Sequence, residues 1–171
     1  MATTHVGGNL FTVGAPAIDE VIDMAEGGDV SGLMTLLESA PEIITDVVTD
    51  DGLLDPGMNS VFTVEGNPGE FLSLVAMLIP TNDAFVAVNA LVLPSSGSVT
   101  YRALVYDAGS ESNDELCANI PGPVCGGAAG SPEDDGEGFV HIHAGIHGVG
   151  DLEPENYDWR NPGAIVTITL M

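Results

Sequence analysis

The chain has 171 residues, of which 26 are Asp or Glu and 2 are Lys or Arg, giving a formal charge of −24. That length fits one domain with one core, and 44% hydrophobic residues argue against disorder. With Arg102 and Arg160 as the only fixed side-chain cations, nucleic acid and anionic membrane surfaces are excluded as partners, while divalent cations or a salty exterior are favoured.

Residues 1–15 are rich in Gly and Thr and show no clear period. Pro16 opens a helical pattern, with Ile18, Val21, Ile22 and Ala25 on one face and Asp19 and Glu20 near its positive end. Gly27 and Gly28 stop it. Asp29 is a suitable N-cap for a second helix with Leu33, Leu36 and Leu37 on its apolar face, closed by Pro41. Neither helix is long enough to stand alone, so the pair is expected to pack as a flap on something else.

After residue 43 the period becomes strand-like. Candidate strands are Ile43–Thr49, Ser60–Val64, Glu70–Leu78, Ala84–Leu91, Ser98–Tyr106, Gly138–His143 and Ala164–Leu170, separated by turns rich in Gly, Pro, Asn and Ser. This spacing predicts a mainly β fold, an antiparallel β-sandwich with two short N-terminal helices. The apolar runs 71–80 and 85–94 are each about half a bilayer span, so no membrane insertion is expected. No signal peptide is visible, which fits a mature or trimmed chain.

Cys117 and Cys125 bracket seven residues that include two Pro and one Gly. The spacing suits a local disulfide loop, with two free buried thiols as the alternative; it does not suit a CxxC redox pair or a zinc site. A disulfide would place the protein outside the cytoplasm.

Two constellations could carry chemistry. The first is acidic: Asp83 lies in a turn between apolar strands, and Asp107, Glu111, Asp114 and Glu115 follow the strand ending at Tyr106. Calcium takes six to eight oxygens, and carboxylates on loops at one end of a sandwich could supply them. The alternative is a solvated acidic loop, and that reading is preferred for Glu133, Asp134, Asp135 and Glu137. The second is HIHAGIH, in which His141 and His143 share a strand face and His147 follows a glycine bend. With His5 alongside, such a group could hold copper or zinc through neutral imidazoles, against a reading of hydrogen-bonded structural histidines. Ser73, Ser110 and Ser112 have no nucleophile motif around them; a histidine-bound metal with Glu137 nearby is the catalytic alternative, but nothing in the spacing demands it, so no enzyme is expected.

Several strings, in order along most of the chain, resemble the bacterial extracellular branch of the spondin N-terminal domain family. They are THVGGNLFTVGAPA (4–17), AEGGD (25–29), PGEFLSLVAMLIPTNDAF (68–85), YDAGSESNDE (106–115), and GIHGVGDL with YDWRNPGAIVTI (145–168). The resemblance implies a C2-like antiparallel β-sandwich spanning 1–171 as a single domain. It implies calcium at loops on one end, with Asp83, Asp107 and Glu111 as ligands and Asp114 as a further one. It implies a non-catalytic extracellular, cell-surface or periplasmic role in adhesion, matrix or filament assembly. The family's first strand precedes the segment matching ATTH and is absent here, which would leave an edge for a second copy or another surface protein to pair with.

The family is also similar to surface copper proteins of methane-oxidising bacteria, which use two histidines and an oxidised tryptophan. That likeness makes His5, His143 and His147, with His141 as a further ligand, a copper-binding alternative for scavenging or storage. Trp159 is read instead as a packed aromatic beside Arg160, which is expected to pair with Asp158 or Asp151.

Overall fold

The structure is a computed structural model that describes residues 1–50, 52–131 and 136–171. Seven strands form it: β1 Ala2–His5, β2 Ile44–Val48, β3 Phe71–Met77, β4 Ala84–Val92, β5 Ser98–Asp107, β6 His141–Ile142 and β7 Ala164–Thr169. Among the described residues three α-helices accompany them, α1 Asp19–Gly27, α2 Ser31–Glu38 and the single turn α3 Pro154–Tyr157, with a 3-10 turn at Cys117–Asn119. The sheet runs β2-β1-β3-β4-β5-β6, with β7 also paired to β5, and every pair is antiparallel.

The β5 strand serves two ladders. Its second half pairs with β4 (Ala84 opposite Asp107, Ala87 opposite Leu104) and at its tip with β6. Its first half pairs with β7 (Ser98 opposite Thr169, Ala103 opposite Ala164). The crossover is tied at Asn161, whose Oδ1 accepts the Val105 N–H at 2.9 Å, and at Gly163, whose N–H donates to Ala103 O. A side chain at Gly163 would run into Val105.

Helices α1 and α2 cover one face of the sheet. Val21, Met24 and Ala25 of α1 and Leu33 and Leu37 of α2 pack on Val75, Phe85, Ala87 and Val140. This is the flap that helix length alone required. The first helix begins at Asp19, later than Pro16, because Ile18 stays extended (φ −80°, ψ 155°). It ends on Gly28 at φ 72°, where the Gly28 N–H reaches Met24 O and the Asp29 N–H reaches Asp23 O. The N-cap of α2 is Val30 rather than the expected Asp29; Asp29 stands one residue earlier, where its Oδ1 accepts the Ser31 N–H at 2.9 Å.

Three strand expectations need correction. Ser60–Val64 is not a strand among the described residues: it joins no ladder, and Val61 is 88% exposed. That stretch is held instead by the Glu65 N–H on Asp46 and by a Thr4 hydroxyl on Glu65 O. Gly138–His143 shrinks to two residues, because the Gly138 and Val140 N–H groups go to Gly109 O and Ala15 O rather than to a strand. Finally, Ala2–His5 is a strand, paired on both sides by β2 and β3. The edge expected beside the ATTH segment is therefore filled; on that side of the sheet the outermost strand is β2.

Cys117 and Cys125 form a disulfide. It packs on a small second core of Ile120, Ile146 and Leu152, with Tyr157 and Trp159 alongside. Replacing both cysteines by Ala is expected to cost about 2.5 kcal/mol by loop entropy. Urea melts of the double variant against the parent check this, and an unchanged midpoint would refute it.

Candidate metal centre

The site lies at the tip where the β3–β4 turn, the end of β5 and the start of β6 meet. Thr81, Asn82 and Asp83 form the turn and are all buried. The turn is locked by the Thr81 side chain, which donates to Leu78 O and accepts the Ala84 N–H. Asp107 closes β5 directly opposite Ala84. This register brings two acidic residues, Asp83 and Asp107, side by side inside the protein, both 0% exposed.

The loop after β5 then folds back over them. One Asp83 oxygen, Oδ2, accepts the Ser110 N–H (2.8 Å), the Ser110 hydroxyl (3.2 Å) and the Glu111 N–H (3.1 Å). The other, Oδ1, is buried without a hydrogen-bond partner among the described residues. The Glu111 side chain is buried too, with the Ser131 backbone beside its carboxylate. Gly109 makes the fold-back possible: its φ is 72°, and a side chain there would strike the Phe139 backbone.

Electrostatics follow from this packing. Burial, reinforced by Asp107, raises the Asp83 pKa to about 6. Burial, reinforced by Glu26, raises Glu111 to about 8, although the nearby Ser131 backbone opposes the rise. Burial raises Asp107 as well, against the hydrogen bond from Asn113. Neither arginine relieves the strain. Arg102 is exposed on β5, and Arg160 is exposed and pairs with Asp158, as expected of it.

Asp114 and Glu115 have different work. Asp114 Oδ1 accepts from Asn82 Nδ2 (2.9 Å) and the Leu116 N–H, and its Oδ2 accepts from Asn119 Nδ2 (2.7 Å). Glu115 is buried, and its two oxygens clamp the following loop through the N–H groups of His147 (2.5 Å) and Val149 (2.9 Å). Asp83, Asp107, Glu111 and Asp114 are thus neighbours at one tip but do not converge as a single set of ligand atoms. Among the described residues, the one group of three that does converge is Asp107, Glu137 and His141, whose ligand atoms lie within 4.8 Å of one another.

The histidines separate. His141 and His143 turn to Asp107 together, as their shared strand face predicts. His141 Nε2 is 3.6 Å from Oδ1, and His143 Nε2 is 3.7 Å from Oδ2. His143 is buried and both its nitrogens are occupied. Nδ1 accepts the Gly145 N–H (2.9 Å), so Nε2 carries the proton and donates to Asn113 Oδ1 (2.8 Å). The Asn113 amide in turn donates to Asp107 Oδ2 (2.7 Å). Burial lowers the His143 pKa to about 4, so it is neutral. Its ring lies 5.0 Å from Trp159, in the packed role expected of the tryptophan.

His147 is exposed, and its Nε2 donates to Ala144 O at 3.3 Å. It lines an open cleft of about 600 Å³ with His143, Asp158, Trp159 and Arg160. His5 is not part of the group. It sits on β1, four strands away from β6, roughly 19 Å at ordinary strand spacing. There its Nδ1 donates to Gly7 O and its Nε2 meets the Ser73 hydroxyl at 3.0 Å. That hydroxyl also accepts the Ala90 N–H, where two residues of β4 oppose Ser73 in a bulge. The four-histidine set therefore does not assemble around one point.

Sequence reasoning preferred a solvated loop for Glu137 and set it near a histidine-bound metal only as a disfavoured catalytic alternative. The signal that could have found it is its spacing of four from His141; the two atoms His141 Nε2 and Glu137 Oε2 stand 3.6 Å apart. Glu133, Asp134 and Asp135 lie outside the described residues. Among the described residues, no helix is long and apolar enough to cross a membrane. Compared with protein families and with curated proteins, the chain matches none.

Proposed function

We propose that the chain is a non-catalytic extracellular domain of the spondin N-terminal kind, a C2-like sandwich stabilised by calcium and used in adhesion or assembly with another surface protein or a second copy. One observation carries this reading. Asp83 buries one carboxylate oxygen, Oδ1, without a hydrogen-bond partner among the described residues, beside the buried carboxylates of Asp107 and Glu111, in a chain with no lysine and with both arginines exposed. Burying unpaired carboxylates is costly unless a proton or a cation compensates. A hard cation that favours oxygen ligands is the economical compensation. Asp107 and Asp114 border the site, and Asp114 acts chiefly to hold its frame.

Two further features support the reading. The disulfide belongs to an oxidising compartment. The division of β5 between two ladders is the kind of strand sharing that a two-layer β fold requires.

Thermal melts with calcium and after thorough chelation test the proposal. A ligand bound only by the folded state adds RT ln(1 + [L]/Kd), about 2.7 kcal/mol at a hundredfold excess over Kd. Calcium is expected to raise the melting temperature of the chelated protein. Identical melts with and without calcium would overturn the reading.

A further inference from the structure

His141 presents a feature that hydrogen bonding leaves unexplained. Its Nδ1 lies 3.0 Å from Ile142 O, a carbonyl, so Nδ1 carries the proton and donates it. Nε2 is left in the neutral ring with a bare lone pair. That atom is buried without a hydrogen-bond partner and faces two carboxylates, Asp107 Oδ1 and Glu137 Oε2, each at 3.6 Å. Three electron-rich atoms are turned towards one another. At 3.6 Å these contacts are longer than ordinary hydrogen bonds; with the ring protonated they are ion pairs, and, against the opposing effect of burial, the Ile142 carbonyl and the two carboxylates raise the His141 pKa.

The same spacing fits the edge of a metal coordination polyhedron. Zinc binds imidazole nitrogen and carboxylate oxygen at about 2.0–2.2 Å, which sets neighbouring ligand atoms of a tetrahedron about 3.3–3.6 Å apart. We propose that Asp107 Oδ1, Glu137 Oε2 and His141 Nε2 form a site for a first-row divalent transition metal of zinc's kind, with solvent completing the shell.

The surroundings support three ligands and exclude a second histidine as the fourth. The Ile142 carbonyl fixes the His141 tautomer, as backbone carbonyls do for metal-bound imidazoles. Asp107 is oriented by the Gly109 N–H on Oδ1 (2.8 Å) and by the chain His143–Asn113 on Oδ2. His143 orients but does not ligate, since both its nitrogens are committed. The imidazole donor separates this site from the calcium reading, because calcium favours oxygen alone. Glu137 and His141 are 39% and 27% exposed, so the open side admits an ion.

The test uses the whole protein, stripped by chelation and titrated with zinc alone, first without calcium and then in excess calcium. One zinc per chain is expected in both conditions. His141→Ala and Glu137→Gln are each expected to weaken it at least tenfold, and His147→Ala less than twofold. Zinc should also shift the imidazole nitrogen resonances of His141 and leave those of His147 in place. Should His141→Ala fail to fold, Glu137→Gln and the resonances decide. No zinc binding, equal loss in His147→Ala, unchanged affinity in Glu137→Gln, or an unmoved His141 would each overturn the site. Displacement of zinc by equimolar calcium would show a single oxygen site and overturn it too. Failure of the calcium melts leaves the zinc readouts unaffected, so the two readings fail separately.

Discussion

Glu111→Gln is expected to shift stability in opposite directions with and without calcium. In the metal-free protein at pH 8 the Glu111 carboxyl titrates inside the protein, where burial and the nearby Glu26 disfavour its charge. A neutral side chain of the same shape removes that cost, and the melting temperature should rise by about 5 °C. In calcium the same change removes a charged ligand, and most of the calcium-dependent increment should vanish. Differential scanning calorimetry of both proteins in both buffers measures the crossing. A variant that melts below the parent in both buffers would contradict the role given to Glu111.

The pH dependence has a definite sign. Asp83 and Glu111 hold their protons in the folded state to about pH 6 and about pH 8. The unfolded chain releases those protons near pH 4. Between about pH 4 and pH 8 the folded state therefore binds more protons than the unfolded one. Metal-free stability from these two groups is greatest at the acid end and falls as pH rises, levelling above about pH 8. Calcium binds the ionised form, so its stabilising increment should grow across the same window.

Phe85→Ala is expected to have the largest effect on the fold, about 3–5 kcal/mol. Phe85 is fully buried at the centre of the helix-covered face. Its ring meets Phe11 edge-on at 5.1 Å and stacks with Tyr106 at 5.8 Å. The loss reaches the metal centre because Phe85 and Tyr106 are cross-strand partners one step from Ala84 and Asp107. Removing the ring frees the register that sets Asp83 beside Asp107. Equilibrium urea unfolding should show the midpoint falling with calcium present and absent. A change below 1 kcal/mol would mean the core is not organised around this ring.

What the sequence made legible had a local period. The central strands, the two helices and the common face of His141 and His143 follow from spacings of two and of three to four. Ala2–His5 carried no such signal. All four residues are buried between neighbouring strands, so no alternation of polar and apolar residues marks them. The gathering of Asp83 with Glu111, and of Asp107 with Glu137, was only partly legible. Those residues lie about thirty positions apart, and the turn at Gly109 that joins them depends on tertiary contact with Phe139. Glu115 was grouped with its acidic neighbours, but its φ of 56° aims the side chain at the 147–149 backbone. His5 was misplaced for the same kind of reason: sequence gives residue type, and β-strand order gives distance.

The sharing of β5 between two ladders has a mechanical consequence. A slip of one residue near Thr100 would carry Asp107 along by about 3.4 Å and reverse which side chains face inward. The backbone of one strand thus meters the interval from the C-terminal ribbon to the acidic tip. Tension applied to β7 crosses the hydrogen bonds of the β5–β7 ladder and then runs to Asp107 along the β5 backbone.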